Sequence, residues 1–195
     1  MQLYEYAMMK VVDKINFIKK RLEEVYQYPV IENIEYRVKN QESIIKKMEK
    51  KGVNRDYISL VNSIEDIAGV RVICPLEEDI QLMRAIICEL PNVNIIEVKD
   101  YITHPKKSGY SAYHMIVEIP INIKDNFTYI KIEIQMCTSA MNFWSKMEHE
   151  IRYKGKEEIS KIDSRKLTWY VKVLDLVQSR IVKIYRKHEI KQYSI

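Results

Sequence analysis

The chain has 195 residues, 47% of them hydrophobic and 30% charged, with a formal net charge of +5. That length suits one domain with appended helices rather than two compact domains, and the positive charge implies an anionic partner without separating nucleotides from RNA or a membrane surface. No apolar run approaches the ~20 residues of a membrane span, and Met1 to Lys20 lacks the apolar centre of a signal peptide, so membrane proteins are excluded and a cytoplasmic one is expected.

From Tyr4 to Tyr26, apolar residues at Tyr4, Ala7, Met8, Val11, Val12, Ile15, Ile18, Leu22 and Val25 recur at helical spacing. This predicts an amphipathic helix ended by Pro29, packed on its own domain or on another subunit. Ile34 to Lys39 alternates as a short strand, and Asn40 to Lys51 reads as a helix with Gly52 as its C-cap. Lys39, Ser43 and Lys47 fall at i, i+4 and i+8. With Arg37 they could serve a polyphosphate beside a helix N-terminus, or form an ordinary solvated face. Val53 to Glu65 is a polar connection with one short helical turn. Asp66-Ile67-Ala68-Gly69-Val70-Arg71-Val72-Ile73-Cys74 then runs into a β-branched strand that Pro75 stops. An aspartate five residues before an arginine at the mouth of a buried strand can hold Mg²⁺ while the arginine takes phosphate charge. The plainer reading is an ion pair at a strand end.

Leu76 to Leu90 predicts the next helix, and Val93 to Val98 a strand leading into the stretch Lys99 to His114. That stretch holds Lys99, Lys106, Lys107 and His114, three tyrosines, and Gly109, one of four glycines in the chain. Cations for phosphates, a ring for a base and a glycine for close backbone approach point to a nucleotide-binding loop. Tyr113 to Ile119 predicts a strand up to Pro120, and Phe127 to Gln135 another, around the turn Lys124-Asp125-Asn126. Lys131, Glu133 and Gln135 share one face of the second strand, which alone gives Glu133 no role. Thr138 reads as the N-cap of a helix through Tyr153 that Gly155 ends. Glu157 to His188 reads as a last helix, its stripe of Leu167, Val171, Leu174, Val177, Ile181 and Ile184 packed on the first helix or on another subunit. The three cysteines, Cys74, Cys88 and Cys137, lack metal-ligand spacing and read as free thiols. Strands near Glu35, Val70, Ile95, Met115 and Ile130 predict an α+β fold, a sheet of about five strands flanked by helices.

Five stretches, taken in order, resemble the synthetase domain of the RelA/SpoT family. They are Arg37-Val38-Lys39 through Lys47, Asp66-Ile67-Ala68-Gly69-Val70-Arg71, Lys99-Asp100-Tyr101-Ile102 through His114, Glu133-Ile134-Gln135, and Met141-Asn142-Phe143-Trp144 through Tyr153-Lys154, covering residues 35 to 154. The length is similar to that of a stand-alone small alarmone synthetase. The resemblance implies a nucleotidyltransferase-like mixed sheet, with helical segments over residues 1–33 and 156–195 around a core over 34–155 of one domain. It implies transfer of pyrophosphate from ATP to the 3′-hydroxyl of GTP or GDP, giving pppGpp or ppGpp and AMP, the chemistry of the stringent response.

By position in the family's motifs, Arg37 stacks on adenine, and Lys39, Ser43, Lys47 and Arg71 hold the ATP triphosphate. Asp66 and Glu133 bind Mg²⁺, with Glu133 also the base for the 3′-hydroxyl. Tyr110 stacks on guanine, Lys99, Tyr101, Lys106 and His114 lie near the acceptor's phosphates, and Gln135 and Asn142 belong to the acceptor site. A homotetramer built with the terminal helices is implied as well. Two departures stand out. Cys137 occupies the place of the family's arginine after Glu133-Ile134-Gln135-Met136, and the hydroxyl expected after the loop tyrosine is shifted, with Ser111 followed by Ala112. Losing one charged contact costs about 1.5–3 kcal/mol, enough to weaken the acceptor or change its phosphate preference. None of the four histidines precedes an aspartate, so the His-Asp pair of the family's hydrolase domain is absent from this sequence. Two other readings stand beside this one. A toxin of the same family would pyrophosphorylate the 3′ end of tRNA, and a non-catalytic homologue would bind nucleotide or RNA; nucleic acid otherwise enters only as an effector. The choice among GTP, GDP and GMP is left open.

Overall fold

The computed structural model describes residues 1–123, 126–151 and 160–192. Its elements are α1 (Gln2–Tyr26), β1 (Asn33–Val38), α2 (Gln41–Lys51), α3 (Tyr57–Ser63), β2 (Ala68–Cys74), α4 (Glu77–Cys88), β3 (Asn94–Asp100), β4 (Tyr113–Ile123), β5 (Asn126–Thr138), α5 (Ser139–His149) and α6 (Lys161–Gln192). One mixed sheet runs β1-β2-β5-β4-β3, with β2 and β5 parallel and every other pair antiparallel. The fold is the α+β arrangement expected.

Side-chain alternation explains how the sheet makes both a core and a site. Val70 and Val72 on β2 and Ile132, Ile134 and Met136 on β5 are buried in one cluster with Ala7, Val11, Val12 and Ile15 of α1, which crosses the sheet. The register sets Gly69 against Glu133 and Arg71 against Gln135, so these four lie on the opposite face. A central parallel pair therefore carries apolar side chains toward α1 and charged ones away from it.

Local signals act as the chain chemistry requires. Gly52 takes φ 66° after α2, the left-handed conformation a C-cap needs. The Thr138 hydroxyl accepts from the Met141 amide at 3.2 Å and so caps α5. Several boundaries differ from the sequence reading. Helix α1 stops at Tyr26, where Gln27 turns left-handed at φ 56° before Pro29 is reached, and Val25 is 72% exposed. Lys39 precedes the N-cap Asn40, so it leaves the end of β1 rather than standing on the helical face. The short turn before Asp66 is the seven-residue α3, capped by Asp56.

Strand β3 continues to Asp100, which puts Lys99 on a strand and shortens the loop. Strand β4 continues through Pro120 to Ile123, and β5 starts at Asn126 and runs to Thr138. Pro120 is tolerated because β3 pairs with β4 only as far as Asn94 opposite Glu118. Beyond that point β4 has a neighbour on one side alone, and a missing N–H on the open side costs no ladder bond. Lys124, Asp125, Tyr153, Lys154, Gly155 and Glu157 lie outside the described residues.

Helix α6 docks on α5 and the start of α4 rather than along α1. Thr138 donates to Asp175 at 3.0 Å, and Gln178 accepts from the Ala140 amide at 2.6 Å while donating to the Pro75 carbonyl at 3.0 Å. Farther along, Arg186 pairs with the buried Asp79 and stacks 3.8 Å over the Tyr28 ring. Burial raises the Asp79 carboxyl above its usual range, with Arg186 opposing that shift. Asp79→Ala would strand the Arg186 guanidinium at a cost of about 3–5 kcal/mol, expected in calorimetry as a fall in Tm of roughly 6–20 °C. Replacing both partners, Asp79→Leu with Arg186→Met, is expected to recover most of that loss, and a double variant melting no higher than the single one would contradict a buried pair.

Candidate active site

A cleft of about 600 Å³ opens on the charged face of the sheet, walled by β1, β2, β5 and α5. Arg37, Lys39, Asp66, Arg71, Glu133 and Gln135 all line it. Asp66 lies just ahead of β2, and the Lys39 amide donates to the Ile67 carbonyl at 2.8 Å, which brings the end of β1 beside it. Oδ2 of Asp66 accepts from Lys39 and, at 2.6 Å, from Lys47 of α2. Oδ1 is buried with no hydrogen-bond partner among the described residues. Burial works to raise this carboxyl, yet the bonds and charges of Lys39 and Lys47 outweigh it and hold Asp66 below its usual 3.8.

Glu133 is fixed at both oxygens. Nδ1 of His114 lies 2.9 Å from Oε1, and Gln135 Nε2 donates to Oε2 at 2.7 Å. Burial again pushes the carboxyl up, while His114 and then Gln135 bring it below the usual 4.5 against the opposing charge of Asp66. Arg71 is held by three bonds, two to Gln135 Oε1 at 2.8 and 3.1 Å and one to Asn142 Oδ1 at 2.9 Å. Gln135, which lines the cleft, and the buried Asn142 thus orient a guanidinium.

The loop between β3 and β4 is built on Asp100, whose carboxylate accepts from the amides of Ile102 and Thr103 and from the Thr103 hydroxyl. Gly109 closes it at φ 83°, its amide bonded to the Lys106 carbonyl at 2.9 Å. Tyr110 hydrogen-bonds His114 Nε2 at 2.8 Å, and Tyr101 packs edge-on against both rings. Burial pushes the Tyr110 phenol well above its usual 10.0. The Lys106 ammonium lies 4.5 Å from the Tyr101 ring centre and 4.9 Å from that of Tyr110.

The four cations of the loop stretch do not converge on one point. Lys99 pairs with Glu97 at 2.6 Å and Glu65 at 3.5 Å, Lys107 is exposed, Lys106 lies over the tyrosines, and His114 is buried beneath them. Ser43 is exposed at the start of α2, its amide spent on the Asn40 cap. Glu35, Lys146 and His149 also line the cleft and were not singled out from sequence. Lys146 had a readable signal, since it follows Asn142 by four residues on α5, the same helical face. Its ammonium meets Glu35 at 2.7 Å.

The family model described as "Region found in RelA / SpoT proteins" matches residues 36–158. The chain belongs to the RelA/SpoT family. It is 36% identical to the GTP pyrophosphokinase YwaC of Bacillus subtilis over 82% of this chain and 76% of that protein. It is 31% identical to the GTP pyrophosphokinase YjbM of the same organism, over 77% and 70%. Among solved structures, the small alarmone synthetase 1 of Bacillus subtilis bound to its product pppGpp superposes with a TM-score of 0.83 at 27% identity, over 94% of this chain and 93% of that one. A GTP pyrophosphokinase family protein from Streptococcus pneumoniae gives 0.83 at 31%, over 97% and 92%.

On the same strand as Glu133 and Gln135 of this RelA/SpoT cleft, Cys137 is buried and its thiol is pushed up to about 11 by burial, against the partial opposition of Arg71. A neutral thiol there brings no charge, and the cationic side chains lining the cleft include Arg37, Lys39, Arg71 and Lys146.

Because the folded pKa of Asp66 is depressed, its two lysine contacts stabilise the protein fully above the unfolded value near 3.8 and are lost as pH falls through the folded one. Without divalent cations, Asp66→Asn is therefore expected to melt below the parent at pH 6, with the gap closing as pH drops below about 4. A gap independent of pH over that range would contradict the ionised Asp66 described here.

Proposed function

We propose that this cleft transfers the β,γ-pyrophosphoryl group of ATP to the 3′-hydroxyl of GTP or GDP, making pppGpp or ppGpp and releasing AMP. The observation that carries the reading is the grouping of two ionised carboxylates, Asp66 and Glu133, with Lys39 and Arg71 in one cleft of a RelA/SpoT chain, with Lys47 of α2 reaching Asp66 at its edge. The relatives named GTP pyrophosphokinases and the structural neighbours bound to pppGpp and to AMPCPP support these substrates.

In the transfer, the 3′-oxygen bonds to the β-phosphorus, the bond from that phosphorus to the α,β-bridging oxygen breaks, and AMP leaves with the bridge. The hydroxyl proton passes to Glu133. Lys39, Lys47 and Arg71 take the charge spread over the phosphate oxygens, with Ser43 at the N-terminus of α2 and Arg37 on the adenine side. Tyr110, with Tyr101 and Lys106 beside it, receives the guanosine; Lys99, Gln135 and Asn142 complete the acceptor side.

Mg²⁺ fits these residues. The donors are hard oxygens, Asp66 offers a buried oxygen without a hydrogen bond, and the charge of Asp66 works against that of Glu133. Asp66 and Glu133 would hold the ion, which supplies neutralisation of phosphate charge and a more acidic hydroxyl. The second contribution matters because a carboxylate held below its usual pKa is a weak base.

A cytoplasmic homotetramer is part of this reading, as the family resemblance implies, and the exposed stripe of Trp169, Tyr170, Leu176, Val177, Ile181 and Ile184 on α6 supports an interface between copies. Light scattering is expected to give four times the 23.4 kDa chain mass, and a monomer at micromolar concentration would contradict it.

The decisive assay incubates the purified chain with γ-labelled ATP, Mg²⁺ and GTP, GDP, GMP or tRNA, then separates the products. Label on a guanosine nucleotide together with AMP is expected; label on tRNA alone would establish the tRNA-modifying reading, and no transfer would leave a binding protein. Asp66→Asn and Glu133→Gln are each expected to lower turnover at least about 10²-fold with the circular dichroism unchanged. Tyr110→Ala should chiefly raise the KM for the guanosine nucleotide.

A further inference from the structure

We infer that the Tyr110 hydroxyl, acting through His114, holds the Glu133 carboxylate in its reactive orientation, so that seating a guanine on Tyr110 and aligning the base are one event. This rests on the pyrophosphate-transfer reading and adds to it two positioning groups, a phenol hydroxyl and an imidazole.

The register makes the contact unavoidable. His114 on β4 lies opposite Gln135 on β5 and diagonal to Glu133, two residues back along that strand. One oxygen of Glu133 meets Nδ1 of His114 at 2.9 Å and the other meets Gln135 at 2.7 Å, so the carboxylate is clamped at both ends. Tyr110, four residues ahead of His114 in the loop, closes the series through Nε2 at 2.8 Å.

The direction of the bonds follows from what each group can do. An ionised carboxylate only accepts, so Nδ1 carries the proton that faces Glu133. In the neutral tautomer that proton is the ring's single N–H, so Nε2 accepts and the Tyr110 hydroxyl donates. His114 is 8% exposed, and a buried imidazole deprived of one partner would be free to turn about its remaining bond.

Tyr110 therefore has two separable parts. Its ring is fixed edge-on by Tyr101 and His114, with centroids 6.1 and 5.8 Å away, and offers a surface to a base. Its hydroxyl points inward to the imidazole. A base stacked on the ring fixes the hydroxyl, the hydroxyl fixes the imidazole, and the imidazole fixes Glu133. The three side chains come from a loop, β4 and β5, so the series joins that loop to the centre of the sheet.

The test uses three conservative variants in the full chain, Tyr110→Phe, His114→Asn and His114→Gln, with steady-state kinetics in ATP and GTP and circular dichroism to verify folding. Phenylalanine keeps the ring and removes the hydroxyl. An asparagine amide can replace Nδ1 and keep the bond to Glu133, whereas glutamine reaches the Nε2 position and keeps only the bond to Tyr110. Tyr110→Phe is expected to lower kcat about tenfold with KM for GTP within about twofold, and His114→Asn to keep about tenfold more kcat than His114→Gln. Adding Tyr110→Phe to His114→Asn should cost little further, since the series is already cut. Full kcat in Tyr110→Phe, a loss confined to KM, or a glutamine variant as active as the asparagine one would overturn the inference while the transfer reading stands. A wild-type chain that forms no product from ATP and GTP would overturn both.

Discussion

The parallel pairing of β2 with β5 is the constraint on which the rest of the cleft depends. It joins Gly69 to Glu133 and Arg71 to Gln135, and it carries Asp66, just before β2, to the same wall. A slip of one residue would turn Glu133 into the core beneath α1 and bring an isoleucine out in its place. The alternation of Ile130, Ile132 and Ile134 with Lys131, Glu133 and Gln135 prevents this, because burying charged side chains in place of three isoleucines would cost far more than any contact the slipped strand could gain. The apolar face thus sets the position of the catalytic one.

The charges on that face are arranged in pairs that leave a deliberate remainder. Lys39 and Lys47 converge on one oxygen of Asp66, and the other has no hydrogen-bond partner among the described residues. Glu133 is held by His114 and Gln135, while Arg71 is held by Gln135 and Asn142. Such an array is ready to exchange lysine–carboxylate contacts for phosphate oxygens and a divalent ion. Gly109 links this chemistry to the periphery. A Cβ at that position would come within 3.2 Å of Thr168 on α6, so the β3–β4 loop and the last helix are in close contact.

Much of this was legible in the order of residues. Period and punctuation place α1, β2 and α4, and Gly52 and Thr138 mark caps that act as caps. Family resemblance named Arg37, Lys39, Asp66, Arg71, Glu133 and Gln135, which meet in the cleft. What escaped depends on partners distant in sequence. Pro120 looks like a strand end until one knows that β3 has already stopped beside it. Lys99 pairs with Glu97 on its own strand and with the distant Glu65, and no period in the sequence announces the second contact. Lys39 reaches Asp66 from the end of a strand, although the helical spacing suggested another route to the same meeting point. Lys146 stands four residues after Asn142 on one helical face, a spacing visible in the sequence, but its meeting with Glu35 is not.

The central claim is that Asp66 and Glu133 share one divalent ion with the nucleotide's phosphates. The most direct measurement is anomalous diffraction from crystals grown with Mn²⁺ and a non-hydrolysable ATP analogue. The account predicts a single strong peak within coordination distance of both carboxylates and of phosphate oxygens. A metal bound by the phosphates alone, with Asp66 still closed on Lys39 and Lys47, would contradict it.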